Sequence, residues 1–132
     1  MRSNRERIIV NNYNKITPYI TKDSSIIREL MHPHVHGNKN QSLAEAIVPP
    51  NSKTLLHLHR TSEEIYYILE GEGRMFLGDR VFMVSKGDII LIPPKMPHGI
   101  ANTGTSLLRL LCCCSPPYSH EDTQLIGDIK DS

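Results

Sequence analysis

Short apolar runs alternate with turn-forming residues through the middle of the chain. Between residues 42 and 114, runs rich in Ile, Leu, Val and Tyr are separated by Gly, Pro, Asn and Asp residues, at intervals of roughly 8 to 12 residues. No helical period competes with this pattern, so it predicts an antiparallel β-sandwich or barrel. The predicted strands are Ser42–Val48, Thr54–His59, Glu63–Leu69, Arg74–Leu77, Arg80–Val84, Asp88–Ile92, Gly99–Asn102 and Leu107–Cys114.

The two ends of the chain lack this regular pattern. Residues 1–41 are predicted to form a polar leader, in which Asp23-Ser24-Ser25 makes a turn and Ile26–Leu30 makes a short edge strand rather than a helix. Residues 42–115 form the predicted barrel, and residues 116–132 are expected to leave the sheet as a tail ending in a loose turn or short helix. A chain of 132 residues suits one domain with a single core.

Three histidines at alternate positions, His32, His34 and His36, lie near the end of the leader. A strand would place all three on one face, but Pro33 removes a ladder donor and loop-forming residues follow Gly37. We therefore predict a surface loop with solvent-exposed histidines. The alternatives are a lid or extra ligand for the main site, and a separate metal site. A histidine there is also a candidate proton donor.

The overall charge is nearly neutral. Lys and Arg total 15 and Asp and Glu total 14, a formal net charge of +1, so bulk electrostatics recruit neither nucleic acid nor an anionic membrane. No apolar run reaches the roughly 18 to 20 residues that span a bilayer, and the first residues lack the apolar core of a signal peptide. We therefore expect a cytoplasmic protein whose partner is a small molecule held in a local site.

The three cysteines, Cys112, Cys113 and Cys114, are consecutive within an apolar run. Neighbouring strand residues point to opposite faces, so these thiols are poorly placed to pair with one another. We interpret them as buried, reduced thiols. The alternative is that one or two of them face the same cavity as His98, because their strand follows that histidine in the chain.

The main candidate chemistry lies at His57-Leu58-His59, Glu64 and His98. Strand geometry points His57 and His59 to one face, and the break after His59 lets the chain return with the carboxylate of Glu64. His98 follows an apolar run and a proline-rich corner. Imidazole suits Zn, Cu, Fe and Ni, and carboxylate suits harder ions such as Mn. We predict that these four residues hold one divalent transition-metal ion, either Mn, Fe, Ni, Cu or Zn.

Two spaced motifs carry a family resemblance. Residues 51–71 read Asn, five residues, His-x-His, four residues, Glu, six residues and Gly. Residues 87–102 read Gly, five residues, Pro-x-Lys, two residues, His, three residues and Asn. These motifs resemble those of the cupin superfamily, small jelly-roll barrels with a metal in the barrel mouth. The resemblance implies an all-β fold, namely a double-stranded β-helix (jelly-roll) cupin barrel.

The resemblance also bears on individual positions. The count of residues before Gly71 selects Glu64 over its neighbour Glu63. Asn51 and Lys95 stand where the family usually has glycine; Asn tolerates positive φ, whereas Lys95 implies a different turn or a charged side chain exposed at the corner before His98. The residues at the family's metal-binding positions are His57, His59, Glu64 and His98.

Four protein ligands leave one or two positions open on an octahedral ion, which permits substrate binding. Strand alternation places Tyr66, Ile68, Ile100 and Asn102 on the cavity side. The resemblance therefore implies a small metalloenzyme of dioxygenase or decarboxylase type, acting on a small oxygen-rich or partly apolar substrate in the barrel mouth. Tyr66 is the candidate catalytic residue for proton transfer, with the leader histidines and the cysteines as alternatives.

Two other functions stay open. His57-Leu58-His59-Arg60 and the Glu-Ile-Tyr-Tyr-Ile-Leu-Glu-Gly that follows resemble the mannose-6-phosphate isomerase cupin domain, which implies a sugar-phosphate isomerase or epimerase. A phosphate pocket needs a basic cluster, however, and only Arg60, Arg74 and Lys95 are expected near the site. The second alternative is a non-catalytic cupin that binds a small ligand.

The predicted barrel has sheet edges that need cover. The family commonly covers them by exchanging N-terminal strands in a homodimer. We therefore predict a homodimer that is lost when residues 1–30 are deleted.

Overall fold

Two antiparallel β-sheets contain about half of residues 8–129, the residues that the computed structural model describes. This arrangement confirms the all-β prediction, and each predicted strand is present with its ends shifted by no more than two residues. The strands are β1 (Tyr19–Ile20), β2 (Ile26–Met31), β3 (Ser42–Val48), β4 (Leu56–His59), β5 (Glu63–Glu70), β6 (Glu72–Leu77), β7 (Arg80–Ser85), β8 (Ile89–Ile92), β9 (His98–Asn102), β10 (Leu108–Ser115) and β11 (Thr123–Gly127).

The core lies between the two sheets. Sheet A has the strand order β1-β2-β3-β10-β5-β8, and sheet B has the order β11-β4-β9-β6-β7. Side chains alternate along each strand, so one face of each sheet is apolar and buried. Burying an Ile, Leu or Met side chain is worth about 1.5–3 kcal/mol. The most deeply buried apolar residues are Ile68, Met75, Ile92, Ile100, Leu108 and Leu110.

The leader adds two strands to sheet A. β2 pairs with β3 along most of its length, with Ile27 opposite Ala46, and β1 pairs with β2 as the outermost strand. The prediction of a strand at Ile26–Leu30 is confirmed, but β1 rather than β2 occupies the edge. The first seven residues of the predicted leader, and residues 130–132 of the predicted tail, lie outside the described residues.

The histidine-rich segment forms a short helix, α1 (Pro33–His36), instead of the predicted loop. Pro33 occupies the first helical position and His32 is the N-cap, accepting a hydrogen bond from the His34 backbone N–H. His32 is buried and its Nε2 lies 2.8 Å from the carbonyl oxygen of Tyr118, so the prediction of an exposed side chain is wrong for this residue. His34 is exposed. No helix of the described chain is long and apolar enough to cross a membrane.

The C-terminal segment does not leave the sheet, contrary to the prediction for the tail. β11 pairs with β4 and becomes the edge strand of sheet B, with Thr123 opposite His59 and Leu125 opposite His57. Thr123 is the only buried residue of β11. With one inward-facing side chain, the strand carries no clear alternation of apolar and polar residues, and this explains why the sequence pattern does not reveal it.

The two departures from the family pattern both adopt left-handed backbone conformations. Asn51 has φ +64° and Lys95 has φ +69°. The Lys95 side chain is exposed, and its backbone N–H donates to the carbonyl oxygen of His59 at 2.6 Å. Lys95 therefore preserves the turn of a glycine at the corner before His98, with backbone strain that glycine would avoid.

A buried carboxylate fixes part of the leader against the outer face of sheet A. Glu45 is 1% exposed. It accepts hydrogen bonds from Arg109 Nη1 at 2.6 Å, from the Tyr13 hydroxyl at 2.7 Å and from Arg28 Nη1 at 3.2 Å. Both carboxylate oxygens are thus satisfied by charged or polar donors.

Candidate metal centre

The three predicted histidines and Glu64 converge inside the cavity between the sheets. β4 directs His57 and His59 inward, because they alternate with Leu58 along the strand. β9 begins at His98, in register with His57 on the neighbouring strand, and β5 brings Glu64 from the opposite sheet. All four side chains are buried. Ligand nitrogens of the three histidines lie within 4.8 Å of one another.

Backbone carbonyls orient two of the imidazoles. His57 Nδ1 lies 2.8 Å from the carbonyl oxygen of Leu55, and His98 Nδ1 lies 3.0 Å from that of Met96. A carbonyl oxygen only accepts, so each Nδ1 carries the proton and donates. In the neutral rings, Nε2 of both histidines therefore presents an unprotonated lone pair to the cavity.

A threonine hydroxyl orients the third imidazole. Thr123 Oγ1 donates its proton to the carbonyl oxygen of Ser119 at 2.7 Å. It lies 3.0 Å from His59 Nδ1 and can only accept there. The Nε2 lone pair of His59 is consequently also free to face the cavity, and such contacts are typical of the partners that orient metal-binding histidines.

The inner atoms of this cluster face one another without donors. Glu64 Oε1 lies 3.1 Å from His59 Nε2 and 3.2 Å from His98 Nε2. Glu64 Oε1 and His98 Nε2 are both buried and have no hydrogen-bond partner. Lone pairs that meet at this distance in a buried site repel one another, and unpaired buried polar atoms cost roughly 1–3 kcal/mol each. A cation shared among them removes both penalties.

The separations match the dimensions of a metal site. Two ligand atoms bound at about 2.1 Å and at right angles on one ion lie about 3.0 Å apart. The distances from Glu64 Oε1 to His59 and His98 are 3.1 and 3.2 Å. The donor set of imidazoles and carboxylate therefore fits a divalent transition metal in its chemistry, and the spacing fits for Glu64 with His59 and His98.

The protonation states of Glu64 and His57 suit metal binding. Burial alone would raise the pKa of Glu64, but without a metal the hydrogen bonds and positive charge that protonated imidazoles of His59 and His98 would supply outweigh burial and hold that pKa well below its usual range. Burial, reinforced by the positive charge that His98 would carry, lowers the pKa of His57 to about 4. Near neutral pH, Glu64 is a carboxylate and His57 is a neutral imidazole, the forms that bind metal.

The cavity wall beyond the cluster is mostly apolar, as predicted. Cys112 and Cys114 both face the cavity, which confirms the alternative interpretation of the cysteines, and Cys114 Sγ lies within 4.8 Å of ligand atoms of His59 and Glu64. All three cysteines are free. Burial raises the pKa of Cys114, so its thiol keeps its proton. Apolar lining residues are Ile27, Ala44, Ala46, Val48, Ile100 and Leu110.

Tyr66 lies on this wall, as strand alternation predicts. Its ring centroid is 5.9 Å from that of His98, and the side chain is 4% exposed. Burial first, and then the negative charge of Glu64, raise the pKa of Tyr66 well above its usual value. The hydroxyl is therefore a hydrogen-bond donor rather than a base.

Asn102 was also expected on the cavity side. Its side-chain amide instead donates to the carbonyl oxygens of Val48 and Ser106 and supports a turn.

Three further residues of the site escape sequence reasoning because they come from the ends of the chain. Thr123 is described above, and Tyr118 places its ring centroid 5.7 Å from that of His59. Asp23, in the turn between β1 and β2, puts Oδ2 3.4 Å from His57 Nε2. The Asp-Ser-Ser turn is visible in the sequence, but its position over the cavity follows from strand pairing that the sequence does not display.

Lys and Arg residues are absent from the cavity wall over the described part of the chain. Arg60 is exposed and donates to the carbonyl oxygen of Glu121 at 2.8 Å. Lys95 is also exposed, and Arg74 lies on β6 without lining the cavity. A phosphate group would therefore find no cationic side chain on the wall, which weighs against a sugar-phosphate substrate.

Comparison with known proteins agrees with the fold and the site. A cupin domain model matches residues 44–114, so this chain belongs to the cupin family. Cupins commonly bind a divalent metal, and the cluster of His57, His59 and His98 is a possible site for one here.

The chain is also similar to individual proteins and to a solved structure. The chain is 63% identical over 120 residues to uncharacterized protein MJ1618 of Methanocaldococcus jannaschii, covering 91% of this chain and 96% of that protein. It is 36% identical over 84 residues to the oxalate-binding protein of Thermotoga maritima, covering 64% of this chain and 65% of that protein. The crystal structure of a predicted oxalate decarboxylase from the same organism aligns with a TM-score of 0.72 at 28% identity, covering 82% of this chain and 99% of that one.

Proposed function

We propose that this protein holds one divalent metal ion on His57, His59, Glu64 and His98 and uses it to bind a small carboxylic acid, as a metalloenzyme of decarboxylase or dioxygenase type. The observation that carries the proposal is the convergence of buried acceptor atoms without donors, Glu64 Oε1 and His98 Nε2 above all. The similarity to an oxalate-binding protein and to a predicted oxalate decarboxylase supports a small dicarboxylate as the ligand class.

The cavity offers little else that would hold an acid. No Lys or Arg among the described residues lines it. When bound, a divalent ion supplies Lewis-acid binding for a carboxylate oxygen. The apolar wall, including Ile100 and Leu110, excludes water from the ligand. Tyr66 lies on this wall, where its hydroxyl can donate a hydrogen bond to a ligand oxygen, and it remains our candidate for the proton-transfer residue.

A non-catalytic ligand-binding cupin is the second candidate. The name of the oxalate-binding protein, which is 36% identical to this chain over 84 residues, favours it. The raised pKa values of Tyr66 and Cys112 favour it too, because both groups stay protonated at neutral pH and so offer no base. Binding and turnover assays on the same preparation separate the two candidates.

The test uses protein that has been stripped with EDTA and reloaded with Mn²⁺ or Fe²⁺. Calorimetry measures oxalate binding, and release of CO₂ and uptake of O₂ measure turnover. The proposal predicts metal-dependent binding with turnover, both lost in His98→Ala, and turnover reduced at least tenfold in Tyr66→Phe. Binding without turnover assigns the non-catalytic function. Absence of any metal-dependent binding contradicts both candidates.

We also propose a homodimer, with its contact on the outer face of sheet A. Ile65, Tyr67, Ile89 and Leu91 are 41%, 41%, 69% and 54% exposed and form the β5–β8 patch. They stand in two cross-strand rows, with Ile65 opposite Leu91 and Tyr67 opposite Ile89. The rows contain no charge, so a second copy that presents the same patch is a complementary partner.

We propose the β5–β8 patch as the dimer contact, in place of the exchange of N-terminal strands expected from the sequence. In the structure β1 and β2 pair with β3 of the same chain, so the leader already covers that edge of sheet A without strand exchange.

The location expected from the sequence, the cytoplasm, remains a proposal. Its support is the presence of three free cysteines, which suit a reducing compartment.

A further inference from the structure

A second group of potential metal ligands overlaps the candidate metal centre. It consists of His59, Glu64 and Cys114, the thiol cluster, and one ligand atom from each residue lies within 4.8 Å of the other two. All three side chains are buried. The group of His57, His59 and His98 meets the same distance criterion, so His59 stands where two sets of ligands meet.

Strand pairing places the Cys114 thiol beside Glu64. β10 pairs with β5 so that Cys114 stands directly opposite Glu64, and residues opposite each other on neighbouring strands direct their side chains to the same face. The other cavity-facing thiol, Cys112, stands opposite Tyr66 instead. Over the described residues Cys112 belongs to neither group of ligands. Register therefore decides which thiol can reach an ion beside Glu64.

A buried carboxylate oxygen gives a separate indication that the thiol cluster binds a cation. Glu64 Oε1 is buried and has no hydrogen-bond partner, which costs roughly 1–3 kcal/mol. Cys114 lines the same cavity wall as Glu64, and no Lys or Arg among the described residues lines that wall. A bound metal ion is therefore the cation that can satisfy this oxygen.

The donors of the thiol cluster suit zinc. Zinc is bound by cysteine sulfur, histidine nitrogen and carboxylate oxygen, whereas Mn²⁺ is suited by carboxylate, carbonyl and water oxygens rather than by thiolate. Coordination forms the zinc–sulfur bond and releases the proton of the Cys114 thiol to solvent, because a coordinating thiol is deprotonated by the ion. Three protein ligands leave the fourth position of a tetrahedral zinc ion open.

We propose that Zn²⁺ binds to His59, Glu64 and Cys114, at a position distinct from the one that the three histidines and Glu64 give to a harder ion. His59 and Glu64 belong to both sets of ligands, so the two ions exclude each other. With zinc bound, His57 and His98 do not coordinate the ion and face the cavity. This inference goes beyond the proposed function and does not depend on binding of Mn²⁺ or Fe²⁺.

X-ray absorption at the zinc K-edge tests the inference on protein that has been stripped with EDTA, kept reduced and reloaded with Zn²⁺. The parent protein should show a sulfur atom at about 2.3 Å from zinc. Cys114→Ser and Cys114→Ala should both lose this signal. Their Zn²⁺ affinity, measured by competition with a chromophoric chelator, should fall at least about tenfold, because even residues that only orient a metal ligand contribute about 10- to 100-fold.

Cys112→Ser is the matched control. Cys112 is also a free thiol that faces the cavity, so this variant makes the same chemical change outside the thiol cluster. It should keep the zinc–sulfur signal, and its Zn²⁺ affinity should stay within about threefold of the parent value. Circular dichroism confirms that each variant is folded.

Mn²⁺ binding, measured by the electron paramagnetic resonance signal of free Mn²⁺, separates the two sets of ligands. His98→Ala should lose Mn²⁺ binding and keep the zinc–sulfur signal, and His57→Ala serves in its place if His98→Ala does not fold. Cys114→Ser should show the reverse, because thiolate is not a preferred ligand of Mn²⁺.

Three results would overturn the inference while leaving the proposed function standing. They are a zinc spectrum of the parent protein without sulfur, an unchanged Zn²⁺ affinity in Cys114→Ser, and loss of the zinc–sulfur signal in a folded His98→Ala variant. If the parent protein binds zinc through sulfur but binds neither Mn²⁺ nor Fe²⁺, the inference stands and the proposed function fails.

Discussion

Thr123 Oγ1 lies 3.0 Å from His59 Nδ1, and this contact connects the last described strand of the chain to the candidate metal centre. Because the threonine hydroxyl gives its own proton to Ser119, it fixes His59 in the tautomer whose Nε2 faces Glu64. The C-terminal segment, which has no motif of its own, therefore completes a site whose other parts come from the barrel.

Replacing this hydroxyl should weaken metal binding while the fold survives. Thr123→Val keeps the shape of the side chain and removes the acceptor of His59 Nδ1, so we expect Mn²⁺ affinity to fall by about 10- to 100-fold. Thr105→Val, at an exposed position in a turn, should leave the affinity unchanged. Equal affinity in both variants would show that the Thr123 contact does not orient the ligand.

Metal binding should stabilise the protein, because it relieves the contact between buried acceptors. At a Mn²⁺ concentration about 100 times the Kd, the gain is about 2.7 kcal/mol, which for a domain of this size raises Tm by about 10 °C. Differential scanning calorimetry of EDTA-treated protein with and without Mn²⁺ measures it. His98→Ala should show no such rise, and a rise of equal size in that variant would place the ion elsewhere.

The left-handed conformation of Lys95 predicts a stabilising substitution. Lys95→Gly relieves the strain at φ +69°, partly offset by the greater freedom of glycine in the unfolded chain, and we expect a gain of up to about 1 kcal/mol in the free energy of unfolding. Gly87→Ala is the matched control, with the opposite expected effect on stability. A Cβ at Gly87 meets no atom within 4 Å, but φ is +94°, so this variant should lose about 1 kcal/mol. Urea denaturation measures both, and a loss of stability in Lys95→Gly contradicts the argument.

Glu45 should make a pH-dependent contribution to stability. Burial alone would raise its pKa, but hydrogen bonds from Arg109, Tyr13 and Arg28 outweigh burial and lower it. The contribution is therefore fully present above the unfolded-state pKa of about 4.3 and is lost as the pH falls through the lower folded-state value.

Urea denaturation of Glu45→Gln tests this contribution. At pH 7 the substitution should cost about 1.5–3 kcal/mol, and the difference from the parent protein should shrink below pH 4. Glu70 also pairs with Arg109, but the Glu70 side chain is 56% exposed. Glu70→Gln should therefore lower the free energy of unfolding by less than about 1 kcal/mol. A Glu45→Gln difference that is constant with pH would refute the assignment.

The β5–β8 patch predicts the effect of a single charge on assembly. Leu91→Glu places a carboxylate in the centre of the proposed contact and should convert the dimer to monomer, as measured by sedimentation equilibrium. Val35→Glu introduces the same charge at another exposed apolar residue, on α1, and should remain dimeric. A monomeric parent protein would contradict the homodimer, and a dimeric Leu91→Glu variant would contradict its location.

The sequence predicts those site residues whose positions depend on local spacing along the chain. His57 and His59 share a face because they are two residues apart on one strand, and the strands themselves follow from the spacing of apolar runs and turns. Asp23 and Thr123 reach the cluster through the pairing of β2 with β3 and of β11 with β4. Register between distant strands is set by tertiary packing, which leaves no periodic signal at either residue.

Helix α1 (Pro33–His36) is another element that local sequence does not predict. Pro33 and the residues after Gly37 argue for a loop rather than a strand by residue type, yet Pro33 also fits the first position of a helix and His32 caps it. The buried contact of His32 with Tyr118 depends on a segment more than eighty residues away, which local sequence does not specify.

The measurement that tests the central claim most directly is elemental analysis of protein purified without an affinity tag, alongside the His57→Ala/His59→Ala double variant. Our account predicts about one equivalent of a divalent transition metal per chain in the parent protein and none in the variant. The absence of bound metal in the parent protein, even after each divalent ion has been supplied, would contradict the metal site.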